Sequence, residues 1–291
     1  RPDFWGRIRK MDQRELDKLL ADLPLGSIRY FSQVGSTNDL ASRWAEAGAP
    51  PLSLVVADEQ IAGRGRSNRR WITAPGAGLA FSLILRPENL PSEISSGADQ
   101  GGPHSNLARL TALGALAVCE TLNQVLPPML PAQIKWPNDV IATRRKLAGV
   151  LVELNWLGDQ LKYAILGIGI NVARRSVPPE SELDFPATCV EDVVGKPVDR
   201  WKLLQAVLSN LLFWRDRLPT ETFLQAWQGR LAFRGEWVQL IPDAAEDLPK
   251  QEVQVIGINS DGSLRLRLRT GEIIAAQFGE VRLRQIDSPA K

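Results

Sequence analysis

The sequence predicts a mixed α/β protein of the α+β class, with a small all-β unit at its C-terminal end. Three observations carry this. Helix-period stretches interleave with short apolar runs through the first two thirds of the chain. Residues 200–217 hold apolar side chains at 203, 204, 207, 208, 211 and 212, the spacing of one helix face. After Arg234-Gly235 the pattern changes to short strand-like runs, EWVQLI, QEVQVIGI, SLRLRLR, EIIAAQF and EVRLRQI, with turn signals at Ser260-Asp261-Gly262 and Thr270-Gly271.

Taken in order, residues 12–21 (DQRELDKLLA) predict a short helix ended by Pro24 and Gly26, and residues 28–34 (IRYFSQV) alternate like a strand. Ser36-Thr37-Asn38 supplies hydroxyl and amide groups suited to a helix start before ASRWAEAG, which Gly48 and Pro50 stop. Residues 53–57 and 79–85 are apolar runs of strand length, and the Gly- and Arg-rich stretch 58–78 between them reads as a loop. Residues 91–106, rich in Gly, Ser and Pro, read as a mobile surface loop. A long apolar helix is predicted over 106–126, broken by Pro127-Pro128. Strands are predicted over 133–136, 147–155 and 162–172, and a last short helix over ETFLQAWQGRL after Pro219. The domain reading is an N-terminal extension over 1–27, a mixed α/β domain over 28–234 and a β-barrel over 235–291.

Composition narrows the chemistry. The chain has 291 residues, a formal net charge of +2, one histidine and two cysteines. A multi-histidine metal site and an H-E-x-x-H helix are excluded. Cys119 and Cys189 form no C-x-x-C, which rules out a zinc ribbon, a disulfide framework and a thioredoxin-like motif. His104 falls in the predicted 91–106 loop and reads as exposed and incidental. The near-balanced charge argues against a nucleic-acid coat. No apolar run approaches the roughly 18 residues of a membrane span, and the N-terminal stretch lacks a signal-peptide core. Free thiols without a signal favour the cytoplasm. Arg1 in place of Met leaves open whether residues precede it.

Four segments carry candidate chemistry. In DEQIAGRGRSNRRW, four arginines fall within residues 64–70, beside Gly63, Gly65 and Trp71. Arginine forks match carboxylate and phosphate, and glycines let a backbone approach a ligand closely, so the segment suits closure over an anion; the alternative is a solvated basic loop. In KWPND, Pro137 fixes a turn that presents Asn138 and Asp139. Asp139 is able to ligate Mg²⁺ or hold a ribose hydroxyl, and an ordinary Asx turn is the plain alternative. In RKLAG, Lys146 at the entrance of a buried strand needs an anion unless it snorkels to solvent. In GIGIN, the glycines suit close backbone approach, with Asn171 toward a ligand; it is not a dinucleotide fingerprint, having no third glycine and no strand-to-helix turn.

In this order, Ser36-Thr37-Asn38, GRGRSNRRW, KWPND, RKLAGVLVE and GIGIN closely resemble the biotin protein ligase family in its form without an N-terminal DNA-binding domain. The match runs from about residue 28 to residue 172 and resumes in the tail. One departure is Asn68, where the family loop commonly carries a second glycine. Asn tolerates left-handed backbone best among non-glycine residues. The resemblance implies a class II aminoacyl-tRNA synthetase/biotin protein ligase fold followed by an SH3-like barrel. It implies activation of biotin with ATP to biotinyl-5′-AMP and pyrophosphate, then transfer to one lysine of a biotin carboxyl carrier protein, with Mg²⁺ tentatively on Asp139.

By the same resemblance, Ser36, Thr37, Asn38, Gln60, Gly63, Arg64, Gly65, Arg66, Lys146 and Gly149 surround biotin. Arg66, Arg69, Trp71, Lys135, Asn138, Asp139 and Asn171 serve the nucleotide. Arg64, Arg66, Lys135, Lys146 and Asp139 carry the catalytic weight. A lipoate or octanoate acyl ligase is the nearest rival. A biotin-responsive repressor is disfavoured, because a single helix candidate precedes the match, so no DNA partner is expected. Arg265, Arg267 and Arg269 alternate on one predicted strand, either as a basic face or as the solvent side of a sheet. Oligomeric state is open, a homodimer included.

Overall fold

The computed structural model describes residues 4, 11–67, 69–95, 102–242, 251–277 and 281–285. The elements in chain order are α1 (Gln13–Leu19), β1 (Ile28–Phe31), α2 (Thr37–Glu46), β2 (Leu54–Ala57), β3 (Gln60–Arg64), β4 (Arg70–Thr73), β5 (Gly78–Leu85), α3 (Ser92–Ser95) and α4 (Gly102–Val125). They continue with β6 (Gln133–Lys135), β7 (Asp139–Ala142), β8 (Arg145–Leu157), β9 (Gln160–Asn171), α5 (Val190–Val194), α6 (Arg200–Arg215) and α7 (Glu221–Gly229). The last five strands are β10 (Trp237–Pro242), β11 (Gln251–Ile258), β12 (Leu264–Leu268), β13 (Ile273–Ala276) and β14 (Val281–Gln285).

Seven strands form one mixed sheet in the order β1-β2-β5-β9-β8-β7-β6, parallel between β1 and β2 and antiparallel elsewhere. Strand alternation sorts its two faces. Phe81 and Leu83 of β5, Leu166, Ile168 and Ile170 of β9, and Val150 of β8 point to one side. There they join α4 and α6 in the main core. Gly114 lets α4 lie close, since a Cβ there would stand 2.9 Å from Val150 Cγ1. On the other side Val55, Ile84, Tyr163 and Ile165 pack under Ala41 and Ala45 of α2. Further along the same face the residues become Ser82, Gly149, Gly167 and Gly169, and the cover of α2 ends. The step from Ile165 to Gly167 therefore opens a hollow at the N-terminal end of α2, where Ser36 caps the helix by accepting from Asp39 N.

Four sequence expectations change. The stretch predicted as a free arginine loop is a β3–β4 hairpin with Gly63 opposite Trp71 and Arg64 opposite Arg70, closed by a Gly65 N–H donated to Arg69 O at 2.7 Å. Asn68 lies outside the described residues. The predicted loop 91–106 contains α3, and α4 starts at Gly102, so His104 sits in a helix rather than a loop. Pro103 does not oppose this, because a proline in the first helical turn removes an N–H that has no partner there. Residues 96–101 of that stretch lie outside the described residues. Finally, Asp139–Ala142 is a strand of its own, β7, pairing with both β6 and β8.

The C-terminal strands form an antiparallel sheet in the order β13-β12-β11-β10-β14, which fits the SH3-like expectation. It joins the larger sheet through the Ser260-Asp261-Gly262 turn. Trp136 Nε1 donates to Gly262 O (3.2 Å) and Arg109 Nη2 to Ser260 O (2.8 Å). Gly262 has φ of 84°, and Ala108 and Trp227 lie where a side chain would stand, so the turn requires glycine. Arg265 and Arg267 stand on the solvent side of β12 and Arg269 lies exposed just after it, with Arg267 bonded to Gln254 and Arg269 to Glu252. No helix among the described residues is long and apolar enough to cross a membrane.

Candidate active site

The hollow is a cavity of about 440 Å³ floored by β8 and β9, walled by the start of α2 and residues 176–187, and roofed by the β3–β4 hairpin. Fifteen of the sixteen residues singled out from the sequence line it: Ser36, Thr37, Asn38, Gln60, Arg64, Gly65, Arg66, Arg69, Trp71, Lys135, Asn138, Asp139, Lys146, Gly149 and Asn171. Gly63 does not. A Cβ there would overlap the Trp71 carbonyl and stand 2.7 Å from Gln60 Nε2, so Gly63 permits the hairpin's close strand pairing.

At one end, Thr37 donates from N (2.7 Å) and from Oγ1 (3.0 Å) to Gln60 Oε1. Ser82 Oγ donates to Asn38 Oδ1 (2.6 Å), and Asn38 Nδ2 donates to Glu153 Oε2 (2.7 Å). Thr37, Asn38, Gln60 and Ser82 are all buried, so this network holds amides and hydroxyls in fixed orientation at the wall of the cavity. Gly167 lies beneath the Asn38 carboxamide, leaving no room for a side chain.

At the other end lies a concentrated charge. Asp139 is buried, with Lys146 Nζ at 2.5 Å from Oδ1 and Lys135 Nζ at 3.5 Å from Oδ2. Burial pushes this carboxyl up, but the ammoniums of Lys146 and Lys135, with the charge of Arg69, outweigh it and hold the group below the usual carboxylate range. Asp139 thus faces two ammoniums, with Arg66 and Arg69 on the hairpin above them and Glu182 and Asp184 on the wall of the same cavity. Arg66 Nη1 reaches Asn138 Oδ1 (3.4 Å), whose Nδ2 is held by Val150 O (2.8 Å). Asn171 Nδ2 donates to Thr188 O (3.2 Å). Trp71 lays its indole on the facing pair Gly149 and Gly169, with Lys146 Nζ 5.5 Å from the ring centroid. This arrangement suits a ligand with an apolar body, a polyanionic part and a flat ring.

Sequence reasoning missed several residues. Glu153 meets Arg64 at 2.7 Å, and Asp39 meets the same guanidinium at 2.7 Å. Arg64 therefore latches the hairpin to α2 and β8 through carboxylates. Glu153 was visible as an acidic residue two steps from Leu151 and four from Gly149 on one strand face. Phe185, whose ring lies 4.8 Å from Lys135 Nζ, and Leu283, which reaches the cavity from β14, had no local signal.

The cysteines take no part. Both are buried, and burial pushes the Cys119 thiol to about 12 and the Cys189 thiol to about 11. Neither is expected to react with a disulfide reagent in the folded protein, and release of one equivalent of thiol anion at neutral pH contradicts this.

Fold and cavity define a mixed α/β protein with an arginine-rich hairpin roofing a polar hollow at one face of its sheet. The pattern of the biotin/lipoate A/B protein ligase family matches residues 30–171. The bifunctional ligase/repressor BirA of Bacillus subtilis is 35% identical over 62% of this chain, which spans half of that protein's length. A biotin–[acetyl-CoA-carboxylase] ligase of Paracoccus denitrificans is 32% identical over 81% of this chain and 92% of its own. The structure of a biotin protein ligase from Aquifex aeolicus in complex with biotin and ATP superposes with a TM-score of 0.70 at 29% identity, over 89% of this chain and 99% of that one. The chain belongs to the biotin protein ligase family.

Proposed function

We propose that the protein activates biotin with ATP and transfers it to a lysine of a biotin carboxyl carrier protein in the cytoplasm. The observation that carries this reading is the pair of lysines, Lys135 and Lys146, held on the buried Asp139 carboxylate beside an oriented amide–hydroxyl network under an arginine hairpin. In the first step a biotin carboxylate oxygen attacks the α-phosphorus of ATP and pyrophosphate leaves. Both reactants are already ionised, so the enzyme supplies cations and alignment rather than a base. In the second step a neutral lysine amine of the carrier attacks the carbonyl of the mixed anhydride and AMP leaves.

We assign the biotin head and chain to the wall of Ser36, Thr37, Asn38 and Gln60, and the phosphates to Lys146, Lys135 and Arg66. Trp71, Asn138 and Asn171 take the nucleoside side. Arg64 serves as a latch rather than as charge for the ligand. Asp139 fixes the two lysines. It does not fit a protein-built Mg²⁺ site, since both its oxygens face ammoniums and no group of three His, Cys, Asp or Glu side chains converges among the described residues. A magnesium ion entering with ATP would take its oxygens from the triphosphate and water rather than from Asp139.

A biotin-dependent ATP–pyrophosphate exchange assay tests the reading, with lipoate in place of biotin as control. Exchange with lipoate and none with biotin overturns it in favour of the lipoyl branch. The floor gives a finer test. A methyl at Gly169 overlaps the Trp71 indole, whereas one at Gly149 meets Trp71 Cζ3 and Lys146 at 3.3 Å. Gly169→Ala is expected to raise KM for ATP about tenfold with little loss of Tm, since alanine is no worse than glycine inside a strand. Gly149→Ala should do less. Equal KM in wild type and Gly169→Ala rejects the placement of the nucleoside.

A further inference from the structure

The hairpin stands on two feet, Asp58 where it leaves β2 and Gly78 where it enters β5. One side chain bonds to both. Arg200, the first residue of α6, donates from Nη1 to Gly78 O (3.2 Å) and pairs through Nη2 with the Asp58 carboxylate. These partners are 122 and 142 positions away in sequence. Backbone bonds also anchor each foot, Val34 N to Glu59 O (3.0 Å) for the first and Ala173 N to Ala77 O (2.7 Å) for the second. Arg200 joins one foot to the other.

Nothing in α6 itself calls for arginine at this place. Asp199 already caps the helix, accepting from Trp201 N (3.0 Å) and Lys202 N (3.3 Å). A cation in the first turn opposes the helix dipole. The side chain is 7% exposed, with its guanidinium 4.2 Å from the Trp201 ring centroid, and a buried cation is costly unless paired. Arg200 thus sits where helix electrostatics and solvation both disfavour it, and its hairpin contacts offset that.

We infer that Arg200 is a positioning residue of the ligase: it fastens both feet of the arginine hairpin to α6 and keeps the hairpin closed over the cavity. It lies outside the cavity lining and touches no reactant. The activity readout rests on the proposed biotin ligase function; the structural readout does not. Without the clamp the hairpin is closed for a smaller fraction of the time. The apparent affinity for ligands under it falls by that fraction, while saturating ligand restores closure.

The test combines hydrogen–deuterium exchange of the ligand-free protein with steady-state ATP–pyrophosphate exchange. In Arg200→Gln, amides of residues 60–73 should exchange at least about tenfold faster while those of β8 and β9 keep their wild-type rates. KM for biotin and ATP should rise about tenfold, with kcat within about twofold. Arg200→Lys should fall between, since one ammonium replaces a fork that spans two acceptors. Asp58→Asn, which keeps a neutral acceptor, should move both readouts about threefold in the same direction, and the double variant should add little to Arg200→Gln. Wild-type hairpin exchange and wild-type KM in Arg200→Gln overturn the inference, as does a fall in kcat alone. If Arg200→Gln does not fold, Asp58→Asn carries both readouts, and wild-type values there overturn it. Absence of biotin-dependent activity in the wild type refutes the ligase reading, while hydrogen exchange still decides the clamp.

Discussion

Lys146→Met is expected to lower biotin-dependent ATP–pyrophosphate exchange by about 10²–10³-fold, the scale seen when one preorganised group facing developing charge is removed. Lys146 is the nearest cation to Asp139 and also faces the Trp71 ring, so it sits where the carboxylate and the α-phosphate meet in the proposed reaction. A loss of activity alone does not separate chemistry from folding, because Lys146→Met strips a buried carboxylate of its closer partner, and breaking buried pairs is strongly destabilising. Lys135 remains at 3.5 Å and Lys146 itself is 24% exposed, so the protein should fold with a lowered Tm. Adding Asp139→Asn to Lys146→Met removes the stranded charge. The double variant should recover Tm and stay inactive. Recovery of exchange together with Tm would mean that Lys146 acts on the fold and has no part in the reaction.

What the sequence made legible was whatever lies within a few residues. In GIGIN the glycines read as close backbone approach with Asn171 toward a ligand, and the structure sets Gly167, Gly169 and Asn171 at the cavity and the isoleucines in the core. KWPND and RKLAG lie on adjacent strands, so Lys135, Asp139 and Lys146 meet across a short distance in sequence as well as in space. Pairings across long separations were not legible. Arg64 reads as a ligand-facing cation until Glu153, 89 positions on, is seen to take it. Arg200 opens a predicted helix, and its pairing with Asp58, 142 positions away, has no local signal. The β3–β4 hairpin was hidden because Gly is a poor strand former, and its pairing comes from the backbone fit of Gly63 against Trp71. The start of α4 was hidden because Gly-Pro reads as a breaker, although proline is tolerated in a first turn.

Arg66→Ala should leave the fold intact and lower the rate of biotin transfer to the carrier by about 10²-fold. Its side chain is half-buried near the tip of the hairpin and its bond to Asn138 is long, 3.4 Å, so its loss should cost little stability. Two steps of the proposed reaction depend on it in different ways. Forming the adenylate needs a cation on the phosphate, whereas keeping it needs the hairpin shut against water. Arg66→Lys separates these. Lysine keeps the charge and loses the bidentate fork that pins the hairpin to the ligand. Lysine should therefore restore much of the pyrophosphate exchange but release biotinyl-5′-AMP faster than wild type, measurable as loss of labelled intermediate from the purified complex. If Arg66→Ala biotinylates a carrier domain at the wild-type rate, the Arg66 charge plays no part in catalysis, and its assignment to the phosphates is wrong.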